Sequence, residues 1–404
     1  MDLSTSITRI RRIPRELVLF ALAIFTLGMA YSVFDATFNN FLDETFALSP
    51  FQRSFLEFPR ELPGFLVVFV SAALWFLSSR RLGVVCMLLS LAGALLIGFA
   101  SSSYAVMTIW LFIYSMGNHL FMPISSTVGM ELAHEGHTGK RLGQLNALRN
   151  AAIIGGSFLV MVGFRYFNFD FEVTFVITAI GLAIAAGLLI AMRPTPPQPA
   201  RSFLKLHREY RLYYALTVIS GARKQLFITF APWVLVTIFD QPTQIIATLL
   251  MIGGIIGILF QPFLGWAIDH FGERLVLSSE AVMLVFVCFG YGFAKSLLPE
   301  GTAFIVVCIC YLLDQMLFSV SMARSTYMKK IALQPDHVQP ALTAGVTIDH
   351  VFSITAALVG GLIWNKFGFQ YVFLLGVGIA VTNFFVALRV RLPLPLPIQP
   401  QPEG

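Results

Sequence analysis

Ten ionisable side chains fall inside long apolar stretches of this sequence: Asp35, Arg53, Glu57, Arg60, Glu61, Arg149, Arg223, Lys224, Asp314 and Asp349. A charged residue at the centre of a membrane helix costs roughly 2.5–3.5 kcal/mol, so ten of them facing lipid would cost about 25–35 kcal/mol. A marginally stable protein cannot absorb that. These groups must face one another, a wet cavity, or both. Five are cationic and five anionic, so they can neutralise one another. The chemistry open to such a set is exchange. Ion pairs can swap partners, and a carboxylate can bind or release a proton as desolvation and a nearby cation compete over it. A charged solute can also be held directly. Asp314, Asp349 and Asp35, in that order, are the candidates for the protonation role, with permanent ion pairing as the alternative for each.

Spacing groups several of these residues. Arg53, Glu57, Arg60, Glu61 and Gly64 fall on one helical stripe about 100° wide, with Pro59 and Pro63 away from it. Arg53–Glu57 and Glu57–Arg60 can pair at helical spacing. The stripe is either a static ladder or a cavity wall whose pairs exchange between states. Arg223 and Asp314 enter their helices from opposite sides to a similar depth, near the midplane. Either Arg223 or Lys224 can reach Asp314, but adjacent residues point about 100° apart and cannot both make that contact. One can pair structurally while the other meets a solute. Arg149 and the dipeptide Asp349-His350 occupy corresponding helices further along the chain. Weaker signals are His119 as a proton relay or an interior hydrogen-bonded histidine, and Phe230 with Trp233 as a stacking surface for a planar ligand. His134 and His137 could contribute to a metal site or belong to a solvated loop. No metal site or cofactor is assigned; a proton is the expected coupling ion.

The elements that must position these residues follow from composition. The chain has 404 residues, 57% hydrophobic and 12% charged, about half the charge of a soluble domain. Disorder, a disulfide scaffold and a soluble nucleic-acid binder are excluded together. Apolar runs lie near 17–41, 52–78, 83–100, 104–129, 142–164 and 172–192, and again near 212–239, 244–268, 275–294, 302–323, 341–364 and 370–389. Each is long enough to cross a bilayer as a helix, and the ten-residue alternation of a β-barrel is absent. The expected architecture is an all-α polytopic membrane protein of twelve helices. The six-helix units span 1–192 and 211–391, joined by a cytoplasmic linker at 193–210 and followed by a Pro-rich cytoplasmic tail at 392–404. Nineteen Lys and Arg lie in loops on the side of the N-terminus, against Arg165, Lys295 and Lys366 opposite. The positive-inside rule therefore places both termini in the cytoplasm. The net charge of +6 is topological and needs no nucleic-acid partner. Cys86, Cys288, Cys308 and Cys310 lie in apolar runs and read as core residues.

An internal repeat supports two halves. Tyr114-Ser-Met-Gly-Asn-His-Leu-Phe121 returns as Tyr311-Leu-Leu-Asp-Gln-Met-Leu-Phe318, Phe167-Asn-Phe169 as Phe367-Gly-Phe369, and Gly155-Gly156 as Gly360-Gly361. After the eighth run comes Gly265-Trp-Ala-Ile-Asp269-His-Phe-Gly272-Glu-Arg274. It resembles the G-x-x-x-D-R-x-G-R-R loop motif of the major facilitator superfamily, with His270 and Glu273 in place of basic residues. In the first half, aligning Gly83 puts Phe76 at the glycine position and Arg80 at the aspartate position. In the motif Gly265 would permit close helix approach, Asp269 would cap or pair across helices, and Gly272 would form the tight turn. The resemblance implies two pseudo-symmetric halves rocking around a midplane site. It also implies that the first, fourth, seventh and tenth helices line the cavity with Asp35, Asn118 and His119, Arg223 to Gln225, and Asp314 with Gln315.

The expected function is secondary active transport of a small polar or charged solute by alternating access, coupled to protons rather than sodium. Arg149, Arg223 and Lys224 incline the site to an anionic or zwitterionic solute. A passive uniporter is the alternative, followed by a non-transporting receptor or scaffold. No H-E-x-x-H or G-x-S-x-G motif is present, and no enzymatic activity is expected. The expected partners are a small-molecule solute and the lipid bilayer, with a monomer in the plasma (inner) membrane.

Overall fold

The computed structural model describes residues 14–134, 138–193, 207–334 and 337–391. The first thirteen residues, most of the linker, the tail and His137 lie outside them. The described chain contains helices and no strands. In order these are α1 (Arg15–Phe46), α2 (Pro50–Phe55), α3 (Glu57–Ala73), α4 (Ser79–Phe99), α5 (Tyr104–Glu131), α6 (Thr138–Tyr166) and α7 (Phe171–Ile190). The second half contains α8 (Arg211–Thr237), α9 (Thr243–Leu297), α10 (Glu300–Phe318), α11 (Ser321–Ile331), α12 (Val338–Phe367) and α13 (Phe369–Ala387).

These thirteen helices supply twelve membrane-length segments. α2 and α3 form one segment interrupted at Leu56. Pro59 lacks the N–H that would close the helical bond to the Phe55 carbonyl. α10 and α11 form another, interrupted at Ser319 and Val320. α9 is two segments. Its 55 residues would run about 80 Å as a straight helix, against a hydrocarbon core of about 30 Å. They turn at Gly272, whose φ of +80° favours a residue without a Cβ. α3 and α8 are the segments whose apolar runs are most interrupted by charge. Glu57, Arg60 and Glu61 lie on α3, and Arg223 and Lys224 on α8.

Polar loop residues start several helices. Ser49 and Gln52 make a reciprocal capping box at α2, while Ser78, Ser103 and Asp170 accept from backbone N–H groups at the starts of α4, α5 and α7. Such caps satisfy donors that a helix leaves unpaired. Large apolar side chains then occupy the outer surface, among them Phe69, Trp75, Leu259 and Phe286. In lipid that surface needs no further cover.

The two halves repeat the same packing. α1 lies against α6 and α7 as α8 lies against α12 and α13. In the first half, Gly93 on α4 admits the backbone of Tyr114 on α5, and Gly98 admits Phe175 on α7. In the second, Gly290 on α9 admits Cys310 on α10, and Gly292 admits Phe373 on α13. A Cβ on Gly93 would stand 2.5 Å from the Tyr114 amide nitrogen, whereas on Gly290 it would meet the Cys310 Sγ at 2.6 Å. Backbone cannot step aside as a side chain can. Gly93→Ala is therefore expected to cost about 1–3 kcal/mol, and Gly290→Ala less, as measured by thermal unfolding in detergent. Equal losses would show that α4 and α5 separate freely.

Candidate functional site

α2 and α3 carry their charges inward against α1 and α8. Arg53 is buried and donates from Nη1 to Glu57 Oε1 at 2.7 Å, across the break at Leu56. Its Nε and Nη2 both donate to Asn39 Oδ1, at 3.1 and 3.0 Å. Glu57 is fully buried, and its Oε2 accepts from Gln225 Nε2 of α8 at 2.8 Å. Arg60 lies 3.7 Å from Glu57 and 3.9 Å from Asp35. The result is a line of alternating charge, Asp35–Arg60–Glu57–Arg53, buried at one end and open at the other. Asp35 is 56% exposed. It stands beside Arg60 and Tyr114, deep among the helices.

A second alternating line lies in the other half. Arg223 of α8 donates to Asp314 of α10 at 2.6 Å and to Glu280 of α9 at 3.2 Å. Glu280 also accepts from Arg324 of α11 at 3.3 Å. Arg223, Asp314 and Glu280 are each about 2% exposed, and Phe318 lies under the Arg223 guanidinium at 5.1 Å. Lys224 points elsewhere, as adjacent helix positions must. It pairs with Asp349 of α12 at 2.5 Å, and both remain partly exposed.

Between the halves lies a third group. His350 Nδ1 is 2.7 Å from Glu61 Oε2, and the His119 ring stands 5.2 Å from that of His350. Asn118 is half-buried beside His119. Arg149 is exposed on α6 and forms no ion pair among the described residues.

Several expectations need correction. Of the ten ionisable residues expected within the spans, Arg53, Glu57, Arg223 and Asp314 are buried, and Glu280 and Glu273, not among the ten, are buried with them. Arg324 and Arg80 are not simply loop cations. Arg324 pairs with Glu280, and Arg80 with Glu16 at 3.7 Å and Glu131 at 3.8 Å. In the loop between the two segments of α9, a Cβ on Gly265 would meet nothing within 4 Å, so that glycine mediates no close helix approach. Asp269 and Arg274 are exposed, and Asp269 forms no ion pair among the described residues. The acid that pairs there is Glu273, 2.6 Å from Lys330 of α11. Phe230 and Trp233 are buried, packed on Trp364 and beneath Arg53, so neither offers a stacking face to a ligand. Asn39 and Glu280 escaped the sequence reading. The only available signal was a polar residue in an apolar run.

Among the described residues, three hydrogen bonds join the halves: Asn40 Nδ2 to the Gln241 carbonyl at 3.0 Å, Gln225 to Glu57, and the contact of His350 with Glu61. Gly361 also meets the Ser54 side chain. All lie at the midplane or towards the side away from the termini. The halves are thus closed on that side. Asp35, Lys224 and Asp349 are charges near these contacts that remain at least partly exposed.

A family model described as Major Facilitator Superfamily matches residues 20–336. The chain belongs to that superfamily. It is a multi-pass membrane protein with a transporter fold, and solved structures of the same kind resemble it. A point mutant of the nucleoside transporter NupG has a TM-score of 0.75 at 14% identity, covering 93% of this chain and 99% of its own. A D-xylose-proton symporter has a TM-score of 0.68 at 17% identity, covering 94% and 99%. A POT family transporter in complex with 5-aminolevulinic acid has a TM-score of 0.69 at 11% identity, covering 93% and 95%. At such identities the superfamily likeness fixes the fold and leaves the solute to the site. No curated protein matches the sequence.

Proposed function

We propose that this chain is a proton-coupled secondary transporter of a small anionic or zwitterionic solute, working by alternating access with both termini in the cytoplasm of the plasma (inner) membrane. One observation carries the reading: the intramembrane charges fall into a buried set and a partly exposed set. Arg223, Asp314 and Glu280 have no opening through which to meet a solute. Lys224, Asp349, Asp35, Arg60 and Arg149 do, and among the described residues Arg149 forms no ion pair. A carboxylate or phosphate entering from the side of the termini would meet Arg149 and compete with Asp349 for Lys224. Displacement of Lys224 would leave the Asp349 carboxylate without its cationic partner, and a proton taking that partner's place would couple the two movements. Solute and proton would thereby share one site. The activities of the structural neighbours, nucleoside transport and D-xylose–proton symport, are compatible with this class of mechanism.

The test is a solute screen by counterflow in proteoliposomes, repeated with an imposed pH gradient. An anionic or zwitterionic solute should exchange, and an inward proton gradient should drive its accumulation. Flux indifferent to the gradient would establish a passive uniporter instead. Lys224→Gln should lower flux at least tenfold while changing stability by less than about 1 kcal/mol, because the pair it breaks is partly solvated. Equal flux with and without Lys224 would remove it from the solute path.

A further inference from the structure

We propose that Glu61, His119 and His350 form a binding site for a divalent transition-metal ion of the zinc class, bridging the two halves of the molecule. One donor atom from each of the three residues lies within 4.8 Å of the other two. Two imidazoles and a carboxylate are a donor set that suits zinc and its neighbours better than magnesium or calcium. Zinc also accepts three protein ligands with a fourth position left to water.

The surroundings prepare the set. His119 Nδ1 lies 3.0 Å from both the carbonyl and the Oγ of Ser115. Donation from Nδ1–H to that carbonyl fixes the tautomer and leaves the Nε2 lone pair free, which is how a neighbouring acceptor orients a metal-binding histidine. Ser115 is itself anchored, its hydroxyl donating to the Arg60 carbonyl. Gly64 makes the space. A Cβ there would stand 2.9 Å from His350 Nε2 and 3.0 Å from His119 Cδ2. Metal bonds of about 2.0–2.1 Å require donors closer together than 4.8 Å, a movement on the order of 1 Å. Side-chain rotation supplies it without moving a helix. The opposing charge is Arg60, which acts on both Glu61 and His119, so the site holds one carboxylate against one guanidinium.

Glu61 and His119 belong to α3 and α5 of the first half, and His350 to α12 of the second. A bound ion would therefore tie the halves together in the arrangement seen here. Metal binding stands independently of the transport reading, while inhibition by the ion rests on that reading.

The experiment uses full-length protein in detergent, freed of any polyhistidine tag, titrated with Zn²⁺ by calorimetry and followed by thermal unfolding. One Zn²⁺ per chain and a raised Tm are expected, with no response to Mg²⁺. His350→Ala should weaken binding at least tenfold, and so should Glu61→Gln, which keeps shape if the alanine variant folds poorly. His134→Ala should leave the affinity unchanged. Absence of Zn²⁺ binding, or equal affinity in wild type and both cluster variants, overturns the site. In proteoliposomes, Zn²⁺ should inhibit counterflow by wild type and spare His350→Ala. Binding without inhibition would refute the tie between the halves and leave the site standing.

Discussion

Replacing Arg223 with methionine is expected to destabilise the protein by about 3–5 kcal/mol, the cost of stranding a buried charge whose partner is removed. Arg223 is the hinge of its line: it serves Asp314 through one nitrogen and Glu280 through another. Glu280 keeps Arg324 when Arg223 is lost, but Asp314 keeps no cation. Asp314 should therefore account for most of the loss. The double variant Arg223→Met with Asp314→Asn leaves Glu280 and Arg324 as a neutral pair. It should recover a large part of the stability, giving a coupling energy at the upper end of the 0.5–3 kcal/mol found for contacting residues. The measurement is denaturant or thermal unfolding in detergent, with all three variants compared. Additive losses would show that the two residues do not depend on one another, despite the 2.6 Å between them. Lys224→Gln provides the contrast, since its partly exposed pair with Asp349 predicts lost flux with little lost stability.

That contrast between neighbours marks what the sequence could and could not reveal. The class of fold was legible because membrane thickness imposes a length on every apolar run, and because twelve such runs leave no residues for another domain. The break in the second run was not legible as a boundary, although Pro59 supplied its cause. Within the site, Arg53 and Glu57 were readable as a pair because helix geometry alone brings positions four apart together. Arg223 and Asp314 were readable as similar in depth, which is a weaker statement. Depth does not say which of Arg223 and Lys224 turns inward; the packing of α8 against α10 and α12 decides that. Glu280 and Arg324 were harder still. One acid in an apolar run and one cation near a loop look like a core oddity and a topological charge until tertiary structure puts them 3.3 Å apart. The loop motif misled in a different way. Matching Asp269 to its pattern drew attention from Glu273, four residues on, which is the buried and paired acid. A motif gives spacing along the chain, and in this loop the pairing is set by where α11 approaches.

Glu57→Gln should act on conformation as well as stability. The fully buried carboxylate accepts from Arg53 within its own half and from Gln225 of the other. The substitution keeps the shape and removes the charge. Its amide oxygen can accept from only one of Arg53 and Gln225, and in either orientation Arg53 loses its carboxylate, with Asn39 as its other polar contact. A cost of about 3–5 kcal/mol is expected from the uncompensated guanidinium. Only the Gln225 contact spans the halves, and a hydrogen bond to a charged group is worth about 1.5–3 kcal/mol; that share of the cost should fall on the state closed away from the termini. At about 1.4 kcal/mol per tenfold, the balance between states should then shift by about one to two orders of magnitude. Asn40 reports on it, since it is 3% exposed and bonded across the halves to Gln241. A cysteine at position 40 should react slowly with a membrane-impermeant maleimide in the parent protein and at least tenfold faster with Glu57→Gln, over the background of the four native thiols. Unchanged labelling alongside a large loss of stability would make the line from Arg53 to Asp35 a static brace. Faster labelling would make it the closure that transport must break, with Glu57 as the charge shared between the halves.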